Sequence, residues 1–139
     1  MQAFLVALLL AGMPLVPTNA PSCAGADPAI VSAIVESTAQ VGHLNRYTIG
    51  VTVQNMGTMK QASNLLQSVA VFQDGTKVDQ KGLQPLARGA SQIVMYSFNR
   101  SRGAAPRTTH LRFVLTFKGT AVPGNADCDT GNDEFRLAV

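Results

Sequence analysis

Leu111, Phe113, Leu115 and Phe117 alternate with Arg112, Val114, Thr116 and Lys118. Period two gives an extended chain one apolar face and one wet face, whereas a helix would scatter the same residues around its axis. The pattern recurs. Tyr47, Ile49, Val51 and Val53 alternate with Thr48, Gly50, Thr52 and Gln54. In the strand predicted over Ser91 to Phe98, Val94, Tyr96 and Phe98 oppose Ile93 and Met95. Ala29 to Ser37 is rich in Ile and Val, and Leu65 to Gln73 sets Leu65, Val69 and Val71 on one face. Phe135, Leu137 and Val139 supply a last strand. Strands with one apolar face must bury it against a second layer.

Turn chemistry separates these runs. Asp74-Gly75 sits between Phe72-Gln73 and Thr76-Lys77-Val78, and both residues tolerate the positive φ that a tight hairpin requires. Asn55-Met56-Gly57 ends one strand, and Gly82 to Gly89, with Pro85 inside, reads as a connection. Arg100 to Arg107 reads as a basic loop, and Val122 to Asp133 as a polar one. No helical period competes, and Met59 to Leu66 offers a turn of helix at most. The fold class predicted is all-β: an immunoglobulin-like β-sandwich of about seven antiparallel strands in two sheets. Trp is absent and no Cys lies within a central strand, which excludes the antibody-type core of a disulfide packed on Trp.

The N-terminus reads differently. Phe4 to Ala11 is an uncharged apolar run, followed by Pro14, Pro17 and the small-residue sequence Thr18-Asn19-Ala20. It is shorter than the roughly 20 apolar residues a membrane-spanning helix needs. Residues 1–20 are predicted to be a cleaved secretory signal, with a cut as late as residue 26. Residues 21–139 then form one domain with no transmembrane segment, in the periplasm or outside the cell. A lipid-bearing Cys23 is the rival reading, but Ala20-Pro21-Ser22 fits a lipobox badly.

Charged residues make up 14% of the chain and the formal net charge is +3. The basic residues are scattered, and the densest stretch holds Arg100, Arg102 and Arg107. These three are the binding candidates, as a small cationic patch. No aromatic residue is interleaved among them, so the stretch lacks a stacking platform for single-stranded nucleic acid, and no nucleic-acid partner is expected. Asp127, Asp129, Asn132 and Asp133 gather oxygens of the kind Ca²⁺ takes. Their spacing is not that of a helix-loop-helix calcium site, and Asp and Asn bond their own backbone in turns, so no metal site is favoured. His43 and His110 are the only histidines, and the three or four His, Cys or carboxylate ligands at suitable spacing that a zinc site needs are not signalled. There is no nucleophile elbow, phosphate loop or dinucleotide fingerprint. No catalytic residue and no cofactor are expected, and the chain is read as a non-enzyme.

Several stretches together resemble a known module. They are Asp27-Pro28-Ala29-Ile30-Val31, Tyr47 to Thr58 with its Val51-Thr52-Val53-Gln54-Asn55-Met56-Gly57 core, the hairpin Val71 to Val78, Gly82 to Ser91, and Gly124 to Asp133. In order and spacing they look like the CARDB family, the cell-adhesion-related domain found in bacteria. The likeness covers nearly all of residues 21–139. It implies an extracytoplasmic seven-stranded sandwich, often one of several modules in a large surface protein. The chain departs from the family in being a single copy and in carrying Cys128 and Asp129 where acidic residues and Asn are more usual. In immunoglobulin-like sandwiches the first strand commonly runs beside the last. That would bring Cys23 and Cys128 to one end, and export would let them pair. Such a disulfide, closing a loop of about 100 residues, would contribute about 4 to 5 kcal/mol in the chain-entropy model. The function expected is a non-catalytic interaction module with an unidentified protein or glycan partner. A structural subunit of an envelope assembly is the alternative, and an enzyme acting through His43 or His110 is the third.

Overall fold

The computed structural model describes residues 24–103, 105–118 and 130–139. Seven strands make two antiparallel sheets: β1 (Pro28–Val41), β2 (Leu44–Asn55), β3 (Leu66–Gln73), β4 (Thr76–Leu83), β5 (Ser91–Ser101), β6 (His110–Lys118) and β7 (Glu134–Ala138). One sheet has the order β1-β2-β5 and the other β4-β3-β6-β7. The chain crosses between sheets three times, through 56–65, 84–90 and 102–109.

Alternation puts Ile49, Val51 and Val53 of β2 inward, opposite Val69 and Val71 of β3 and Phe113 of β6. Val94, Tyr96 and Phe98 close the core from β5, and Leu111 and Leu115 from β6. Burying each such aliphatic or aromatic side chain stabilises the fold by about 1.5 to 3 kcal/mol. Ile93 and Met95 point outward from β5, as their phase requires. Leu65, Val69 and Val71 are buried together, as the sequence predicts.

The boundaries differ in instructive ways. β1 runs on to Val41 and β2 starts at Leu44, joined by the tight turn Gly42-His43, in which Gly42 has φ +61°. β1 is an edge strand with irregularities in register between Ile30 and Ser32 and between Val35 and Ser37. Bulges of this kind blunt an edge against pairing with another chain. β4 extends to Leu83, into the stretch expected to be a connection. It pairs only with β3 and is mostly exposed, so it needs no apolar alternation. The Asp74-Gly75 turn is as predicted, with φ +49° and +87°. β5 continues through Arg100 to Ser101, so Arg100 belongs to a strand and not to the basic loop.

The first and last strands do not pair. β1 bonds only β2 and β7 bonds only β6, in opposite sheets. They approach across the sandwich instead. The Nδ2 of Asn132, in the 3₁₀ turn Thr130–Asn132 before β7, donates to both carboxylate oxygens of Asp27 at 3.1 and 3.2 Å. The signal segment of residues 1–20, Cys23 and Cys128 lie outside the described residues.

Candidate functional site

The sandwich has two ends of opposite character. At one lie the start of β1 and the crossings 56–65 and 84–90. At the other lie the turns Gly42-His43 and Asp74-Gly75 and the crossing 102–109.

Asn55 organises the first end. It continues the inward row Ile49, Val51, Val53 and is fully buried. Its Oδ1 accepts from the backbone N–H of Asp27 and of Gly57, both at 3.0 Å. Its Nδ2 donates to the carbonyls of Met59 (2.8 Å) and Leu86 (3.1 Å). Its backbone N–H donates to Ala90 O, and its carbonyl accepts from Gly89 N. One side chain thereby joins three chain segments and fills its whole hydrogen-bonding capacity. Gly57 sits so close to the entering chain that a Cβ there would run into the main chain of Gly25, Ala26 and Asp27. Nearby, Gln61 and Gln67 exchange reciprocal amide bonds of 2.8 Å, both buried. Gln67 also donates to Gln84 O, and Leu86 N donates to Gln61 Oε1. The Asn-x-Gly element of the sequence is therefore a structural clasp. Its sequence signal was the inward phase of Asn55, a polar residue on the apolar row.

Two of the weak calcium candidates fall at this end, while Asp127 and Asp129 lie outside the described residues. Asn132 turns its amide nitrogen, a donor, toward the Asp27 carboxylate, where a hard cation would require the amide oxygen. Asp133 precedes β7, and its backbone carbonyl accepts from Leu115 N. Among the described residues no three His, Cys, Asp or Glu side chains converge to hold a metal ion.

The three arginines singled out in the sequence meet at the second end, but in different roles. Arg100 follows Val94, Tyr96 and Phe98 on the inward row of β5. Its guanidinium carbon lies 4.9 Å from the ring centre of Tyr47 and 5.8 Å from that of Phe98. The two rings stack on each other with centres 5.1 Å apart. Nη2 of Arg100 donates to Thr109 Oγ1 and to Val139 O, both at 2.7 Å, while its buried Nε has no hydrogen-bond partner. Arg102 bonds the β1–β2 turn, through its backbone N–H to His43 O and its Nη1 to Gly42 O. Arg107, 66% exposed, reaches Asp74 Oδ2 at 3.1 Å.

Asp74 is the only acidic residue on the turns and loop of this end. Its Oδ1 accepts from His110 N at 3.0 Å. That backbone bond first, and Arg107 second, hold its carboxyl below the ordinary value of 3.8, against the opposing effect of desolvation. His43 and His110 are both exposed at this end. Between the segments lies a cavity of about 230 Å³ lined by Gln73, Asn99, Arg100, Ser101, Arg107 and Thr109. Gln73, Asn99 and Thr109 were not singled out in the sequence. Their phase at strand ends was readable, but nothing marked the ends as convergent.

Fold and site together define a small two-sheet immunoglobulin-like sandwich with one clasped end and one cationic end. Its fold is CARDB-like. It is similar to the crystal structure of the CARDB domain of a Pyrococcus furiosus protein in complex with di-metal ions, at 14% identity and a TM-score of 0.54. That likeness covers 82% of this chain and 86% of the other. It is also similar to the solution structure of a domain from Methanosarcina acetivorans whose parent protein's name assigns it to the cell surface. There the identity is 19% and the TM-score 0.53, over 82% of this chain and 90% of that one. No family model matches the sequence, and no curated protein matches it.

Proposed function

We propose that the chain is a non-catalytic interaction module working outside the cytoplasm, in the periplasm or at the cell surface, through its Arg100 end. The observation that carries this reading is the contrast between Asn55 and Arg100. The buried polar groups of the Asn55 clasp bond one another, whereas the Arg100 end gathers cationic side chains around a polar cavity. Loops held by a rigid sandwich are where binding residues concentrate. The surface assignment of the Methanosarcina relative agrees with export. The test uses labelled full-length protein added to intact host cells. Binding should fall on Arg102→Ala and Arg107→Ala substitution and persist for Gln80→Ala on the opposite sheet; equal binding by all three refutes the assignment.

Export also supports a Cys23–Cys128 disulfide. Cys23 lies four residues before Asp27 and Cys128 four before Asn132, and Asp27 and Asn132 are hydrogen-bonded. The exported protein should show no reactive thiol until reduced; two reactive thiols contradict the bridge. The alternative, a structural subunit of an envelope assembly, draws on the outer face of the β1-β2-β5 sheet, where Ile34, Ile93 and Met95 are exposed. A stable oligomer dissociated by Ile93→Gln would favour that alternative.

A further inference from the structure

The two sheets have four edge strands among the described residues, β1 and β5 in one and β4 and β7 in the other. Three of them carry features that discourage pairing with another chain. β1 is interrupted by two irregularities in register. β4 carries Lys77, Asp79 and Lys81, and β7 has only five residues and includes Glu134 and Arg136. β5 is built differently. It has eleven residues, and its register with β2 runs from Leu44↔Ser101 to Gln54↔Ser91 without a shift. From Ser91 to Asn99 it contains no charged residue, no Gly and no Pro.

The ladder also shows which backbone groups of β5 face the open edge. Asn55 N–H donates to Ala90 O at one end of the β2–β5 pairing, and Arg102 N–H donates to His43 O at the other. Bonded and non-bonded pairs alternate along an antiparallel ladder. The bonds to β2 therefore fall on Gln92, Val94, Tyr96 and Phe98, and the N–H and C=O of Ile93, Met95, Ser97 and Asn99 point away from β2. Among the described residues no strand pairs with β5 on that side, and no backbone bond reaches these four from a turn or loop. Their side chains are all exposed on the outer face of the sheet, Ile93 by 57% and Met95 by 46%.

We infer that β5 pairs with β5 of a second copy of this chain, antiparallel about a two-fold axis at Met95, extending the sheet to β1-β2-β5-β5-β2-β1. The strand is complementary to itself in this register. Met95 faces its own copy, Ile93 faces Ser97 and Ser91 faces Asn99, so every open N–H and C=O meets another of the same set. Ile93 and Met95 of both copies adjoin on the outer face, and Arg100, the one charge in β5, falls opposite Ala90. The pairing also closes on itself. It uses both β5 edges, and the irregular β1 edge left at each side does not carry the sheet further. A second copy fits this edge better than an unrelated extended segment, because it supplies an equally long, unshifted and uncharged strand. The inference goes beyond the proposed function and does not depend on the choice of the Arg100 end.

The test is analytical ultracentrifugation of the exported protein over a concentration series. A reversible monomer–dimer equilibrium is expected. Met95→Lys sets two ammonium groups opposite each other on the axis and should weaken the dimer at least about tenfold, and Met95→Glu should do the same. An equimolar mixture of the two variants should restore the dimer, since opposite charges then face each other. Ile34→Lys lies in the same row, across Gly50 from Met95, and should leave the dimer unchanged. All these side chains are exposed, so each variant should keep the wild-type melting temperature within the scatter of surface substitutions. A protein that stays monomeric at every concentration, a mixture of the two variants that does not dimerise, or a dimer lost on Ile34→Lys overturns the inference. The last result would assign the contact to the outer face of the sheet and not to its edge. None of the variants touches Arg102 or Arg107, so binding to cells tests the proposed function separately.

Discussion

The two ends of this sandwich are built from the same material and put it to opposite uses. Each has a polar residue extending an apolar inward row: Asn55 after Val53 on β2, and Arg100 after Phe98 on β5. Asn55 meets donors and acceptors in equal number and bonds them all. Arg100 can only donate; its Nη2 is taken by Thr109 and Val139, its buried Nε has no partner, and its side chain lines a cavity. A short amide can be saturated by the backbone around it, so it serves as a clasp. A long cation held by aromatic rings keeps its charge at a cavity wall, and the proposed function draws on that.

The largest effect that would sharpen the contrast is at Asn55. Asn55→Ala removes the acceptor of two backbone N–H groups and the donor to the Met59 carbonyl, leaving Leu86 O only its bond from Gln61 N, and should destabilise the domain by about 4 kcal/mol, read by urea unfolding. A loss below about 1 kcal/mol would break the clasp account. Gly57→Ala comes next, because its Cβ meets main chain and not a flexible side chain. About 2 to 3 kcal/mol is expected, at the upper end of overpacking costs. At the other end, Arg107→Ala should leave the melting temperature within the scatter of surface substitutions, since its ion pair is exposed.

The smallest effect is a pH dependence. The Asp74 carboxyl is held below 3.8 by His110 N and Arg107. A carboxyl lowered by folding stabilises the native state above its unfolded pKa, and that contribution is lost as pH falls through the folded value. Wild-type protein should therefore lose more stability than Asp74→Asn on acidification below 3.8. NMR titration of Arg107→Ala should find the carboxyl raised but still below 3.8, because the His110 bond is the larger cause.

Much of this was legible in the sequence, and the gaps have physical reasons. Strands with one buried face announce themselves by period two, as β2, β5 and β6 do. β4 is an edge strand with little of its length buried, so it carried no such signal beyond its Asp-Gly turn. Gly42-His43 was readable as a loop but not as a two-residue turn, because only one of its residues is a turn former. Arg100 was readable as the next inward position after Phe98, but the Gly and Pro of the following stretch masked the strand's end. The Asp27–Asn132 contact joins residues 105 apart, and no local pattern encodes it. The gathering of Gln73, Asn99 and Thr109 likewise depends on which strand ends meet.

The difference between the saturated Asn55 clasp and the other end is tested most directly by hydrogen exchange of side-chain amides in the free protein. The Nδ2 protons of Asn55 should be strongly protected, while those of Asn99 and the Nε2 protons of Gln73 exchange as freely as solvent-accessible amides. Equal protection at both ends would contradict the account.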